Sequence, residues 1–510
     1  MGNPTFYWYD YETFGLEKDV DRPSQFAGQR TDMDFNPIGE GEVFYDKPSL
    51  DYLPSAQSCL LTGITPQTCM EEGIPESDFA QKVWDRFNEP GTISLGYNTL
   101  GFDDDVSRFL FWRNFLDPYS HQWQNGCSRW DIFPLVCAVW ALRGDNIQWP
   151  RWEDINKKEY PAAEGREGVC FKLEFLTKAN GITHAHAHNA LSDVSATIGL
   201  AKKIAETEPK LWKWALENRS KEAVKEALKN GPVLWVHPRF GQKRGFSKIV
   251  NMIANNQQKR NEVFVWDLAY DPTEFANMTR EELVEHLFPS KEKREAGVKP
   301  LPIYRLPTNG APFVCGNLKV LSDARAEFFG IDKELAMANL EKLTPLLPML
   351  QGPLMDFSER APLPTPIDVD QALYSGGFPS EEDRARCQLV RQYSPAELAR
   401  EVRAGNLKFD DERYNELLFR FRARNWPESL SDEEAQEWKS FCAKRVLTEK
   451  GDGVHRTVTE FFNEVDTFQE IIGEDEELMN LMDMLYAWGE YVGEMLSVDG
   501  DEEADGPDEA

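Results

Sequence analysis

Three short stretches carry acidic and imidazole side chains at spacings that can hold divalent ions beside a base. Asp10 and Glu12 sit two residues apart, just after the aromatic run Phe6-Tyr7-Trp8-Tyr9. On a strand, side chains alternate, so these carboxylates share one face roughly 7 Å apart along the backbone while Tyr11 points to the other. Taken alone, such a pair also reads as surface charge. Its apolar setting favours an ion site, because an unpaired buried carboxylate is costly and hard cations such as Mg2+ or Mn2+ take carboxylate oxygens plus water. The second stretch, Asn98-Thr99-Leu100-Gly101-Phe102-Asp103-Asp104-Asp105, lies where a strand gives way to a helix. Carboxylates there meet the favourable end of the helix dipole, and Asp104 and Asp105 also read as simple caps. The third is His188-Asn189-Ala190-Leu191-Ser192-Asp193. Residues five apart on one helix diverge by about 140°, so His188 and Asp193 converge only if His188 precedes a helix capped by Asn189. His184, His186 and His188 could instead chelate a transition metal, against which stands the lack of a nearby cysteine.

Positioning these groups requires strands and helices in alternation. Strands are expected at Thr5–Thr13, Glu42–Tyr45 and Thr92–Tyr97, and helices at Asp78–Phe87, Asp104–Phe115, Asp131–Leu142, Lys172–Ala179 and Ala190–Glu206. That interleaving implies an α/β layer architecture. After about Pro209 a charged stretch leads into short β-like runs at Val233–Val236, Val263–Leu268 and Ile303–Leu306, separated by Gly-, Asn- and Pro-containing turns, which fit a small β domain. Gln351–Pro366 is proline-rich and reads as a linker. Beyond it the pattern is helical, with Leu478, Leu481, Met482, Leu485, Trp488 and Val492 forming one apolar stripe that reads as core.

At 510 residues the chain exceeds what one core usually holds, so two or three domains are expected. No apolar run approaches the ~20 residues that cross a bilayer, and the N-terminal residues lack the basic and apolar pattern of an export signal. No membrane association is expected. Eight cysteines without a CxxC pair read as reduced thiols in a cytoplasmic protein rather than a zinc or redox site. The net charge of −31 argues at first sight against a polyanionic substrate. It is a weak guide, since charge beyond about 8–10 Å is screened and bound cations would reverse the sign of a carboxylate cluster.

Together, the three acidic stretches resemble the DEDD exonuclease superfamily in its H-x4-D form: D-x-E on the first strand, N-x3-F-D after a later one, H-x4-D opening a late helix. Closer still, Asp21–Ala27 (DRPSQFA), Leu61–Gln67 (LTGITPQ), Ser128–Asp131, Leu176–Ile182 (LTKANGI), Gln371–Tyr374 and Leu418–Asn425 (LFRFRARN) are similar to the bacterial exonuclease I family. The likeness spans most of the chain and thins between about 215 and 360. It implies a ribonuclease-H-like exonuclease domain (1–208), an SH3-like β domain (209–355), a helical C-terminal domain (366–497) and an acidic tail (498–510) expected to be disordered. It also implies Asp10, Glu12, Asp103 and Asp193 as metal ligands and His188 as general base. Two departures stand out: Asn189 replaces an aspartate, with little consequence because both cap helices, and Lys172 replaces an arginine, exchanging a forked donor for a point charge.

The implied activity is 3′→5′ hydrolysis of single-stranded DNA to nucleoside 5′-monophosphates, in DNA repair and recombination, with two Mg2+ ions for which Mn2+ could substitute. Asp10 is expected to bridge the ions, Glu12 and Asp193 to complete one shell, and Asp103 to serve the other. Thr13 and Phe102 are candidates for holding the terminal nucleotide and Lys172 for phosphate. Arg143 and Trp214 fall where the family docks the acidic C-terminal tail of single-stranded-DNA-binding protein, although Arg143 also reads as a helix C-terminal charge. A monomer is expected. The alternatives are an exoribonuclease or proofreading module of the same superfamily, and a noncatalytic nucleic-acid scaffold.

Overall fold

The computed structural model describes residues 3–184, 189–360, 366, 368–449, 451–473 and 475–497. Its first sheet has the order β3-β2-β1-β4-β5, with β1 at Thr5–Thr13, β2 at Pro23–Thr31, β3 at Glu42–Tyr45, β4 at Thr92–Gly96 and β5 at Ser128–Asp131. β1 is central, antiparallel to β2 and parallel to β4. The alternation read from the sequence separates its two faces. Phe6 and Trp8 pack into the core that includes Val194, Leu200 and Ile204 of the helix Ala190–Thr207, whereas Tyr7, Tyr9 and Tyr11 pack with Phe79, Phe87 and Leu110 on the other side. Asp10 and Glu12 continue the Phe6/Trp8 row, so the helix that covers this face also reaches the carboxylates.

The second sheet has the order β10-β6-β7-β8-β9, all antiparallel, with β6 at Val233–Val236, β7 at Ser247–Asn255, β8 at Glu262–Asp267, β9 at Ile303–Pro307 and β10 at Phe313–Cys315. Two helices, Pro209–Glu217 and Lys221–Lys229, lead into it. The expected linker from Gln351 is corrected: Leu347–Arg360 is helical, with Pro353 inside it. Leu350 and Leu354 bury one side of that helix, and this burial offsets the hydrogen bond and the steric fit that an internal proline loses.

The C-terminal region is helical, and its apolar stripe is core as expected: Met482, Leu485, Trp488 and Val492 of Glu476–Leu496 are buried against Val458–Ile472 and against Ala56–Thr62 of the nuclease region. Buried ion pairs join the two regions. Asp51 accepts from Arg424 at 2.8 Å and Arg445 at 2.9 Å, while Arg22 reaches Asp370 at 2.9 Å. Burial alone would raise the Asp51 and Asp370 carboxyls, but Arg424 and its neighbouring arginines hold both well below the usual range. Removing one partner would strand the other's charge in the core, so this network fixes how the helical region sits on the nuclease region.

Candidate active site

The structure brings Asp10, Glu12 and Asp193 together, with one ligand oxygen from each within 4.8 Å of the others. Asp10 and Glu12 come from β1, paired opposite Ala27 and Gln25, and a register shift after Glu12 ends the regular ladder there. Asp193 lies in the first turn of Ala190–Thr207, whose N-cap Asn189 accepts a hydrogen bond from the Ser192 N–H. The substitution of asparagine for aspartate therefore keeps the cap, as expected. His186 and His188 lie outside the described residues.

Asp103 reaches the same end of the sheet by another route. Beyond Trp8 and Leu95 the β1–β4 ladder stops, and the Tyr11 N–H donates to Asp103 Oδ1 at 3.2 Å. Gly96 permits a close approach to β1 at this point, because a Cβ there would stand 2.6 Å from the Tyr9 carbonyl oxygen. Asn98 then turns the chain with φ of 64°. Two further aspartates hold this turn. Asp131, at the end of β5, accepts from the backbone N–H groups of Asn98 at 2.9 Å and Leu100 at 3.2 Å. Asp104 is buried and paired with Arg129 and, at 2.7 Å, with Arg108. Burial works against its charge, yet Arg129 and Arg108 keep the carboxyl below the ordinary range. Asp104 is thus an ion-pair anchor as well as a first-turn residue. The Asp104–Arg108 pair is an i,i+4 contact within one helix, but the Asp104–Arg129 pair and the hold of Asp131 on the Asn98–Leu100 turn join different elements and are invisible in sequence spacing.

Like charges crowd together in the cluster. Burial, then Asp103, Glu12 and Asp193, push the Asp10 carboxyl well above its usual range. Burial and then Asp193 and Asp103 push Glu12 up to about 8, and burial pushes Asp103 up to about 7. These oxygens suit a hard divalent cation, whose ligands stand about 2.0–2.6 Å from it. Asp103 is outside the close trio, with one oxygen engaged by Tyr11.

Protons and cations therefore compete for this site. In the metal-free protein the raised carboxyls keep protons that the unfolded chain releases near pH 4, so the contribution of this cluster to stability falls as pH rises from about 4 towards 8. Mg2+ or Mn2+ should accordingly raise the melting temperature more at about pH 8 than at about pH 5.5. Calorimetry at the two pH values checks this, and equal shifts would contradict it.

A cleft of about 660 Å³ opens beside Asp193. Tyr97, Phe133, Trp152 and Phe171 line it from the nuclease region, and Pro238, Gly241 and Phe246 from the second sheet's region. Gln242 ties the two walls, accepting from the Val169 N–H at 2.8 Å. Lys172 lines the same cleft with Nζ 4.9 Å from the Tyr160 ring centroid. Thr13 donates to the Gly15 carbonyl at 2.7 Å, and Phe102, the residue before Asp103, packs partly buried on the Tyr9–Tyr11 cluster. Arg143 lies away from this cleft, 3.4 Å from Glu208 and hydrogen-bonded to the Val320 carbonyl at 3.3 Å. Trp214 sits on the neighbouring helix against Phe313.

Sequence reasoning missed a charge pattern in the segment that supplies Pro238, Gly241, Gln242 and Phe246 to the cleft. Ala227–Asn261 contains Lys229, Arg239, Lys243, Arg244, Lys248, Lys259 and Arg260 and no acidic residue, in a chain with 87 of them. The signal was present as an acid-free run.

Carboxylates carried on the central strand, the facing helix and the β4 crossover of a ribonuclease-H-like sheet define an exonuclease domain of the DEDD type. Sequence families agree along the chain: "Exonuclease" matches residues 7–201, "Exonuclease I SH3-like domain" 219–351 and "Exonuclease I C-terminal domain" 367–492. The chain belongs to the exonuclease I family. It is 36% identical over 490 residues to exodeoxyribonuclease I of Haemophilus influenzae, covering 95% of this chain and 98% of that one. Escherichia coli exonuclease I in complex with a dA16 oligonucleotide is similar at TM-score 0.85 and 35% identity, over 96% of this chain and 100% of that one. A structure of SSB and exonuclease I with the inhibitor CFAM is similar at TM-score 0.83 and 33% identity, over 96% and 100% of the respective chains.

Proposed function

We propose that this protein shortens single-stranded DNA from its 3′ end, releasing nucleoside 5′-monophosphates. The convergence of Asp10 and Glu12 with Asp193, which lines an aromatic cleft walled in part by an acid-free basic segment, carries this reading. Asp10, Glu12 and Asp193, with Asp103 beside them, would hold two Mg2+ ions, with Mn2+ as a substitute. Such a pair of ions supplies a water of lowered pKa and neutralises charge on the leaving 3′-oxygen. His188 would take the proton of the attacking water, a task suited to an imidazole whose unperturbed pKa is about 6.5. Lys172 would meet a phosphate as a point charge, and Thr13 and Phe102 would hold the terminal nucleotide.

Exclusion of duplex follows from the setting. Asp193 lines a cleft bounded by two domains, and the reading requires terminal bases to be unpaired before the 3′ end can enter it. Stacking on aromatic rings is tolerant of sequence, which suits a general degradative enzyme. Matched single-stranded DNA, single-stranded RNA and blunt duplex DNA test the reading together. Rapid loss of the first alone is expected; equal digestion of RNA would favour the exoribonuclease alternative, and equal digestion of blunt duplex would remove the threading argument.

The partner reading rests on Arg143 and Trp214, which we take to contribute a basic and an aromatic member of a pocket for the acidic tail of single-stranded-DNA-binding protein. Titration of that tail peptide should show weaker binding to Arg143→Ala than to the wild type; equal binding removes Arg143 from the interface. We place the enzyme in the bacterial cytoplasm as a monomer, a setting that suits its eight free cysteines.

A further inference from the structure

His184 is the described imidazole next to the acidic cluster. Its Nε2 stands 2.7 Å from Asp193 Oδ1, its Nδ1 stands 3.2 Å from Thr177 Oγ1, and its side chain is 5% exposed. When Asp193 is ionised, as a metal ligand is, its carboxylate can only accept, and His184 Nε2 is then the donor of the short contact. Thr177 is itself fully buried, with its hydroxyl 2.8 Å from the Leu173 carbonyl. The ring therefore spans from the helix Leu173–Ala179 to the first turn of Ala190–Thr207.

The backbone that delivers this ring is held from both sides. The Ile182 N–H donates to the Thr177 carbonyl at 2.9 Å, closing a turn through Gly181 at φ of 67°. Ile182 then lies so close to the helix that a Cβ on Gly199 would stand 2.6 Å from Ile182 Cγ2. Both contacts restrict where residue 184 can be, and the hydrogen bond restricts how the Asp193 carboxylate can rotate.

We propose that His184 is a positioning residue for metal binding: its contact with Asp193 Oδ1 fixes the orientation of the carboxylate that stands beside Asp10 and Glu12. The inference rests on the metal-binding reading of the cluster. A carboxylate fixed in this way loses less rotational freedom on binding, and outer-shell partners of metal ligands typically contribute about 10–100-fold in affinity. The role is distinct from that of a general base, whose removal lowers the rate however much metal is present.

Direct titration of Mn2+ into the full-length protein without DNA, read by the electron paramagnetic resonance of free Mn2+, tests it. If the wild type does not bind Mn2+, the metal-binding reading itself fails. With binding established, His184→Ala should weaken Mn2+ affinity roughly 10–100-fold and raise the Mn2+ needed for half-maximal DNA degradation similarly, while saturating Mn2+ recovers most of the rate. His184→Gln, whose amide N–H can reach Asp193, should restore most of the affinity. Mn2+ affinity within about twofold of the wild type in His184→Ala overturns the proposal, as does a rate loss that saturating Mn2+ does not relieve. Should the alanine variant fail to fold, Thr177→Val removes the other anchor of the ring: weaker Mn2+ binding supports the proposal and unchanged binding overturns it.

Discussion

Asp10→Ala and Asp193→Ala should each lose activity by more than the ~10–100-fold that an outer-shell partner costs, on the order of 10³-fold or beyond, while remaining folded. The reasoning is electrostatic. Both carboxylates belong to the trio of closely spaced ligand atoms: burial and the neighbouring acids raise the Asp10 carboxyl, and Asp193 is one of the charges that raise Asp10 and Glu12. Removing one relieves repulsion in the metal-free protein, so the melting temperature without metal should hold or rise, even as the site for the cation is lost. Activity and melting temperature measured on the same preparations separate the two effects. Near-normal turnover in either variant would show that the ligands are misassigned, and loss of both activity and folded structure would make the residue structural.

His188→Ala is expected to lower the rate roughly 10²–10⁴-fold with DNA affinity largely kept, the usual span for a positioned general base. The contrast with His184 gives this prediction its force. His184 contacts Asp193, so its loss should be relieved by added Mn2+; loss of a proton acceptor should not be. A drop in DNA affinity with unchanged turnover at saturating substrate would make His188 a binding residue instead. Measuring both variants across Mn2+ concentrations distinguishes the two histidines within one experiment.

The carboxylate-bearing strand was legible because its signals agree: β1 is an unbroken β-prone run, and its even-numbered and odd-numbered residues divide cleanly between two cores. β2 escaped notice for a physical reason. It buries the polar side chains of Gln25 and Arg30, the latter bonded to Thr5, Thr92 and the Arg86 carbonyl, and it includes Gly28, where a Cβ would stand 2.1 Å from the Tyr7 hydroxyl. Composition alone makes such a segment look like a loop. The helix Leu347–Arg360 was hidden by Pro353, because propensity rules end a helix there and only tertiary burial of Leu350 and Leu354 sustains it.

Within the site, the carboxylates were legible as spaced residue types, whereas the groups that orient them were not. Asp131 reads as a helix cap, which it is through the Phe133 N–H, yet the same carboxylate also holds the Asn98–Leu100 turn from a neighbouring strand. The second function depends on β4 and β5 lying side by side, a long-range fact that local spacing does not contain. His184 is similar: as one of three alternating histidines it suggested chelation, and its actual partners are a threonine seven residues before it and an aspartate nine residues after it.

The central claim is metal-dependent removal of nucleotides from the 3′ end of single-stranded DNA. One oligonucleotide preparation labelled at the 3′ terminus and another at the 5′ terminus, each incubated with Mg2+ or with excess EDTA, tests it most directly. With Mg2+, the 3′ label should leave at once as a mononucleotide while the 5′ label persists on steadily shortening strands, and EDTA should stop both. Early release of the 5′ label, or undiminished degradation in EDTA, would contradict the account.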